Sequence, residues 1–222
     1  HNQLQSLPDA ICDLQLVEVL SVGHNELVKL PSDLGSMRGL RELLAPSNKL
    51  RELPPTFGQL VNLSELQVSH NQLEELPPSL SDLRRIVRID ARENLLRLLP
   101  PVPGSAVLAE LLLGFNKLKS LPAPLANAPA LAVLDMRDNC LPEISYEHLA
   151  SLKSLRTLDL RNNELARVPG EIGLMTSLSA LLLDGNPLKA IRRTILTAHT
   201  RELLEYLRNR IEDAGGAGAA GA

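Results

Sequence analysis

Asparagine recurs through this chain at an almost constant spacing, and that spacing constrains the fold more than any other feature. Nine asparagines follow one another in steps of 23 residues, with one step of 22 and one of 24: Asn2, Asn25, Asn48, Asn71, Asn94, Asn116, Asn139, Asn163 and Asn186. A fixed period of about 20 to 50 residues is typical of chains in which one small unit stacks on copies of itself. The sequence therefore predicts a solenoid without a single central core.

Apolar residues precede each asparagine from Asn25 onward at two fixed distances, five and three residues before it. In the coil of Asn71 they are Leu66 and Val68. A spacing of two is the period of a β-strand, so both side chains point to the same face, which we expect to be the core. Stacking the strands about 4.8 Å apart predicts one parallel sheet whose other face is open.

The segment after each asparagine carries leucine two residues on and, in most coils, leucine five residues on followed by proline. Proline fixes φ and lacks an N–H donor, which favours an extended or turn segment over a long helix. We therefore expect short helical or 3₁₀ turns on the convex side. The asparagine amide is expected to bond to backbone groups of its own coil and the next one. These prolines are Pro8, Pro31, Pro54, Pro77, Pro100, Pro122 and Pro169.

Two coils depart from this pattern. Residues 100–106 contain three prolines and a glycine where a helical turn would lie, and this segment either bends or loops outward or is simply extended. The coil of Asn139 has one extra residue and no such proline, which predicts a longer convex helix near residues 144–149.

The C-terminal region changes from repeat to helix. Leu203, Leu204, Leu207 and Ile211 follow helical spacing, with Thr200 as a candidate N-cap. We expect a repeat array over residues 1–191, a capping helix over 192–213 and a flexible Gly/Ala tail over 214–222. The first repeat is partial and has no cap, so we expect missing residues or another chain to cover the N-terminal end.

Charge and cysteine content exclude several kinds of partner. With 23 basic and 26 acidic residues interspersed and a net charge of −3, the chain offers no broad basic surface for nucleic acid and no polybasic arm for a membrane. Cys12 and Cys140 are the only cysteines and lie in distant coils, so a disulfide between them is not expected. This composition favours a reducing, cytoplasmic location.

The stretch from Leu63 to Pro77 reads L-x-x-L-x-L-x-x-N-x-L-x-x-L-P. It resembles the 23-residue LPxxL leucine-rich repeats of the intracellular Ras-suppressor and scaffold families and their plant intracellular Ras-group relatives. The exit at Gly185–Leu188, with the helix that follows, is similar to arrays that precede Roco-type GTPases. The resemblance implies an α/β solenoid: a leucine-rich repeat horseshoe with a parallel concave sheet, short convex turns and a C-terminal capping helix. It also implies a protein partner on the concave face, such as a small GTPase or a phosphatase subunit.

Residues between the core positions of each strand are expected to face the concave side. Asp90 with Arg92, and two later pairs, repeat one charge pair two residues apart. Such pairs either form a solvated, self-neutralising network or a strip that recognises a partner's carboxylates. Leu112 and Phe115 form a candidate apolar spot beside Gly114, although Phe115 also fits a buried role at the sheet edge. The candidate partner-binding residues are Leu44, Arg88, Asp90, Arg92, Leu112, Phe115, Asp135, Arg137, Asp159, Arg161 and Leu182.

The sequence contains no pattern that indicates an enzyme, a cofactor or a metal site. His24 and His70 share a repeat position but lie two coils apart, and no nucleophile with a base or phosphate-binding glycine loop is present. Arg84, Arg85 and Arg88 form a small basic cluster that fits a solvated face better than a phosphate site.

Three functions fit these observations. The first is an intracellular scaffold or adaptor that binds a protein on its concave face. The second is the regulatory arm of a larger enzyme such as a GTPase, and the third is a fragment of an extracellular receptor. The partner's identity is open at this stage, because concave residues vary freely once the core pattern is kept.

Overall fold

The computed structural model describes residues 2–121 and 125–216. Its strands form one parallel sheet in which each strand pairs with the next in sequence, in the order β1 to β8. The predicted solenoid with a parallel sheet, short convex turns and a C-terminal helix is confirmed. The strands are β1 Val19–Ser21, β2 Glu42–Leu44, β3 Glu65–Gln67, β4 Arg88–Asp90, β5 Glu110–Leu112, β6 Val133–Asp135, β7 Thr157–Asp159 and β8 Ala180–Leu182.

Neighbouring strands pair with equivalent residues opposite each other. Leu20 faces Leu43, Leu43 faces Leu66, and Leu66 faces Ile89, all in the same repeat position. The central residue of every strand is buried, so one column of aliphatic side chains runs the length of the core. The repeat period therefore sets the register directly, since a slip of one residue would turn this column to the solvent.

The convex side consists mainly of 3₁₀ segments, several of which directly follow proline. Where Pro8, Pro54, Pro77 and Pro169 precede a segment, their backbone is extended and each segment closes with an N–H to C=O bond three residues back. A 3₁₀ turn is thinner than an α-helix, which keeps the convex spacing close to the strand spacing and the curvature gentle. Pro122 lies outside the described residues. The segments are Asp9–Asp13, Leu34–Ser36, Pro55–Gln59, Pro78–Asp82, Leu125–Asn127 and Gly170–Leu174, with one short helix, α1, at Tyr146–Leu149.

Asparagine side chains join each coil to the one before it. Asn71 Nδ2 donates to the carbonyl oxygens of Val68 and Ala45, both at 3.0 Å, and its Oδ1 accepts from Leu50 N at 3.0 Å. Ala45 and Leu50 belong to the preceding coil. The asparagine therefore bonds to the coil before it, whereas bonds to the coil after it were expected. The same bonds recur at the ladder asparagines from Asn48 to Asn186, and Asn25 bonds to Leu4 N of the first coil. These amides satisfy backbone groups that the turn would otherwise bury unpaired.

The proline-rich segment at residues 100–106 contains neither a helix nor a strand and packs against the core. Val102 is buried, and Ser105 is fully buried with its hydroxyl donating to Ile86 O at 2.8 Å. Arg84 Nη1 donates to Gly104 O at 3.2 Å across the convex side. The segment therefore packs on the stack and does not loop outward, and its prolines remove the N–H donors that a 3₁₀ turn needs.

The last coil is covered by two helices, α2 at Arg193–Leu196 and α3 at Thr200–Gly216. Their arrangement differs from the single helix expected over 192–213, and α3 continues to Gly216; residues 217–222 lie outside the described part. Thr200, expected as an N-cap, is the first residue of α3, and its Oγ1 accepts a hydrogen bond from Leu181 N at 3.2 Å. The hydroxyl thus satisfies a donor on the outer edge of β8.

Helix α3 approaches the last 3₁₀ segment closely because two glycines of that segment have no side chain. A Cβ on Gly173 would lie 2.6 Å from Arg208 N, and one on Gly170 would lie 2.9 Å from Leu207 O. Leu203, Leu204 and Leu207 are buried in this contact. The predicted apolar face of the helix therefore covers the end of the core.

The opposite end of the array exposes apolar side chains. Leu4 and Leu14 are about half exposed, and Leu16 is almost fully exposed. That missing residues or another chain cover this end stays a prediction.

We expect Asn71→Ala to lower the free energy of unfolding by about 1 to 3 kcal/mol, because it leaves buried backbone groups of two coils unpaired. The adjacent, exposed Gln72 provides the control, and Gln72→Ala should change stability by less than about 0.5 kcal/mol. Urea denaturation measures both. Equal midpoints for Asn71→Ala and the control would show that the ladder does not stabilise the stack.

We expect Gly173→Val to destabilise the contact with α3 by about 1 to 3 kcal/mol, because the new side chain would overlap the helix backbone. Hydrogen exchange of α3 amides should become faster while exchange in β2 to β4 stays unchanged. Leu174→Ala, at a half-exposed neighbouring position, is the control. Unchanged exchange of α3 in Gly173→Val would contradict the close packing.

Candidate functional site

The concave face presents three rows of side chains, defined by their distance from the ladder asparagine. The strand-start row lies six residues before it, the middle row four before it and the strand-end row two before it. The strand-start row is Val19, Glu42, Glu65, Arg88, Glu110, Val133, Thr157 and Ala180. The middle row is Ser21, Leu44, Gln67, Asp90, Leu112, Asp135, Asp159 and Leu182. The strand-end row is Gly23, Pro46, Ser69, Arg92, Gly114, Arg137, Arg161 and Asp184.

The aspartates of the middle row are buried, although they lie on the face turned away from the core. Side chains of Asp90, Asp135 and Asp159 are only 5%, 10% and 7% exposed. A solvated network, one of the two alternatives for these pairs, is therefore not what the carboxylates form. The paired arginines are more exposed than the aspartates, so guanidinium groups form the outer layer and carboxylates the inner one.

Two of the three pairs are bidentate. Arg92 Nε and Nη2 donate to Asp90 Oδ1 and Oδ2 at 2.9 and 2.6 Å. Arg161 Nε and Nη2 donate to Asp159 Oδ1 and Oδ2 at 3.0 and 2.6 Å. These hydrogen bonds raise the pKa of both arginines, so the two guanidiniums stay charged and fixed in orientation.

The central pair has a different geometry. Arg137 Nε lies 3.5 Å from Asp135 Oδ2 and is buried without a hydrogen bond among the described residues. The guanidinium instead lies over the ring of Phe115, 5.3 Å from the ring centroid. Gly114 permits this position, because a Cβ there would lie 3.0 Å from Arg137 Cγ. Because Gly114 has no side chain, the arginine of the next coil can lie over Phe115.

Asp135 is consequently less well paired than the aspartates on either side. Its side chain accepts one hydrogen bond, from Arg137 N at 3.1 Å. Burial raises the pKa of the Asp135 carboxyl, and this effect is only partly offset by that bond and by the charge of Arg137. The carboxylate of Asp159 raises the pKa further.

Phe115 is an exposed apolar group at the rim of the face, about midway along the array. It is 43% exposed and has a φ of 57°, in the left-handed region that bulky residues seldom occupy. The residue before the asparagine has positive φ in every coil from His24 to Gly185, so the turn of the repeat imposes this conformation. Leu112 is only 8% exposed, so the expected apolar spot consists almost entirely of Phe115.

Arg88 lies among carboxylates from three adjacent strands. Its guanidinium pairs with Glu65 at 3.5 Å, with Asp90 at 3.6 Å and with Glu110. It therefore does not form the expected basic cluster with Arg84 and Arg85, which are on the convex side or its edge. Arg84 bonds to the backbone at Gly104, and Arg85 bonds to the Asn62 side chain at 2.8 Å.

The two remaining candidates are uncharged leucines. Leu44 and Leu182 are half-buried in the middle row near opposite ends of the sheet. Glu65, Glu110 and Gly114 were not among the sequence candidates, although they position Arg88 and Arg137. The repeat pattern does indicate Glu65 and Glu110, because they occupy the position of Arg88 in the two neighbouring coils.

The described residues include neither a group of side chains suited to a metal ion nor a helix that could span a membrane. No group of three or more His, Cys, Asp or Glu side chains there is arranged to hold a metal ion. Within the same residues, the helices are too short or too polar to cross a bilayer. His70 Nδ1 pairs with Glu93 Oε2 at 2.7 Å at the rim of the face.

We expect Asp159→Asn to lower the free energy of unfolding by about 1 to 3 kcal/mol near neutral pH, because Arg161 loses its bidentate partner. Asp135→Asn should cost less than about 1 kcal/mol, since burial already disfavours ionised Asp135. A raised folded pKa means that ionisation destabilises the fold, so wild type should lose stability relative to Asp135→Asn as pH rises above 3.8. Urea denaturation across this range tests both, and equal costs would contradict the difference in pairing.

Profiles of leucine-rich repeat families match two stretches of the chain. One profile, described as Leucine Rich Repeat, matches residues 62–83, and another, described as Leucine rich repeat, matches residues 106–165. Both stretches include strands and ladder asparagines of the array.

Solved structures of leucine-rich repeat proteins share this fold. A leucine-rich repeat protein of Leptospira interrogans is 31% identical, with a TM-score of 0.62 over 83% of this chain and 53% of its own. YopM, a leucine-rich effector protein from Yersinia pestis, is 31% identical, with a TM-score of 0.65 over 78% of this chain and 44% of its own.

A plant receptor is also similar. The leucine-rich repeat ectodomain of the membrane receptor kinase GASSHO1/SCHENGEN3 from Arabidopsis thaliana, solved in complex with CASPARIAN STRIP INTEGRITY FACTOR 2, is 28% identical. It has a TM-score of 0.73 over 82% of this chain and 23% of its own. This chain thus spans about half or less of the length of the three structures. Residues 62–83 and 106–165 are leucine-rich repeats, and the described chain has the fold of a leucine-rich repeat protein.

Proposed function

We propose that this chain is a protein-interaction module that acts as a scaffold or adaptor and binds a protein partner on its concave face. The observation that carries this proposal is the partly exposed layer of arginines around Phe115. Arg92 and Arg161 are held over buried carboxylates and Arg137 over the Phe115 ring, and burying these carboxylates costs desolvation and adds nothing to the aliphatic core. Arginine and aromatic groups on a rigid support are typical of the centres of protein interfaces.

The relatives support a protein partner. The plant ectodomain was solved in complex with CASPARIAN STRIP INTEGRITY FACTOR 2, so a similar repeat array takes part in a complex there. The leucine-rich repeat fold is a common protein-binding module, and its open sheet offers a long rigid surface.

We further propose that the repeats are of the intracellular 23-residue LPxxL type, and that the chain acts in the cytoplasm. The thiols of Cys12 and Cys140 are free, which suits a reducing compartment. By the same resemblance, a small GTPase or a phosphatase subunit is the proposed class of partner.

We expect the triple variant Phe115→Ala, Arg137→Ala, Arg161→Ala to lose about 90% or more of its specific partners in a quantitative pull-down from cell extract, because exposed aromatic and arginine groups dominate interface energies. The matched control is Arg84→Ala with Arg85→Ala, which removes two arginines away from the concave face. Circular dichroism checks that each variant is folded. Partners retained by the concave variant and lost by the control would place the binding surface elsewhere.

A further inference from the structure

Building on the proposed function, we propose that the strand-end row binds an acidic segment of the partner. In this proposal Arg92, Arg137 and Arg161 donate hydrogen bonds to Asp or Glu side chains, and Phe115 contacts an apolar residue between them. The partner is thus a protein segment in which carboxylates flank an apolar side chain.

Within the middle and strand-end rows of β4 to β7, the accessible charge is positive. The three arginine side chains are 33%, 29% and 37% exposed, whereas the aspartates beneath them are at most 10% exposed. A partner that lies on β4 to β7 therefore meets guanidinium groups before it meets carboxylates. Opposite charge at the contact layer favours carboxylates on the partner.

The arginines keep donors for a ligand. Arg92 and Arg161 use Nε and Nη2 for their aspartates, and Nη1 of neither makes a hydrogen bond within the described residues. Arg137 has no side-chain hydrogen bond there at all, and stacking on Phe115 holds it in place. A guanidinium oriented before binding loses less conformational entropy when it pairs with a carboxylate.

The spacing of the row suggests how the carboxylates are arranged. Arg137 and Arg161 lie on adjacent coils, about 5 Å apart by strand spacing, whereas Arg92 lies about 10 Å from Arg137 with Gly114 between them. Carboxylates three or four residues apart on a helix, about 5 to 6 Å between Cβ atoms, match the closer pair. Gly114 has no side chain, so the exposed ring of Phe115 is accessible in the wider space between Arg92 and Arg137.

Other carboxylates near the row limit where an acidic segment can lie, since the charges of Glu93 and Asp184 act on Arg92 and Arg161. At the rim, Glu93 pairs with His70, and Asp138 accepts a hydrogen bond from Asn162 Nδ2 at 3.0 Å. Glu42, Glu65 and Glu110 lie at the strand starts, about 13 Å away by strand rise, which exceeds a Debye length of about 8 Å. Asp184 ends the row beyond Arg161. The acidic segment should therefore be centred on Arg137.

The first experiment is selection of a displayed random 16-residue peptide library on the wild-type protein. Clones are kept when they do not bind the triple variant Phe115→Ala, Arg137→Ala, Arg161→Ala but still bind the control variant Arg84→Ala with Arg85→Ala. We expect the kept clones to be enriched in Asp and Glu around an aromatic or aliphatic residue. Kept clones without acidic enrichment would overturn the acidic-segment proposal and leave the proposed function standing. If no clone loses binding on the triple variant, the result would count against the proposed function itself.

The second experiment measures affinity with a selected peptide, synthesised with an acetylated N-terminus and an amidated C-terminus so that only side-chain carboxylates remain. Replacing Asp and Glu by Asn and Gln in the peptide should weaken binding about ten- to a hundredfold. Arg137→Gln should weaken binding of the acidic peptide similarly, and Arg137→Lys should weaken it less, because lysine keeps the charge and loses the planar fork.

The double-mutant cycle decides between direct pairing and an indirect effect. If Arg137 contacts the peptide carboxylate, Arg137→Gln should have little further effect on the neutral peptide. Independent, multiplicative effects of the two changes would overturn the pairing at Arg137. Arg84→Gln is the matched control and should leave both affinities unchanged, and thermal unfolding checks that the Arg137 variants are folded.

Discussion

The hydrogen bonds of the asparagine ladder are the constraint on which the rest of the structure depends. Each amide bonds to its own turn and to the coil before it, as Asn71 does, so it pairs buried backbone groups of the turn and positions the two coils relative to each other. The in-register parallel sheet follows, because equivalent residues can then pair only with each other. The left-handed residue before each asparagine belongs to the same turn and places Phe115 at the end of β5.

The concave face owes its chemistry to this rigidity. Carboxylates are buried at three middle-row positions, beneath arginines that are more exposed. Two of these pairs are bidentate and orient their arginines, while the third is redirected by Gly114 onto an aromatic ring. The proposed acidic partner follows from this layering rather than from net charge.

The fold was almost fully predictable from the sequence, and the candidate site was predictable only in part. Leu66 and Val68 already indicated a strand and its buried face, and the prolines indicated short convex turns. Leu112 shows where the argument failed: its position correctly places it on the concave face, yet neighbouring strands leave it only 8% exposed. Exposure depends on side chains about 5 Å away on adjacent coils, which are about 23 residues distant in sequence.

By itself the sequence determined the coil, the stacking direction and the rows of outward residues, because these follow from local periodicity and from backbone groups that must be paired. Tertiary structure alone decided which arginines keep free donors, which carboxylates are buried and where the terminal helix is close enough to seal the core. Those outcomes depend on contacts between coils, such as Arg137 with Phe115 across Gly114, or Gly173 with α3. Periodicity places such residues next to each other, but only packed side chains determine which of the possible bonds is made.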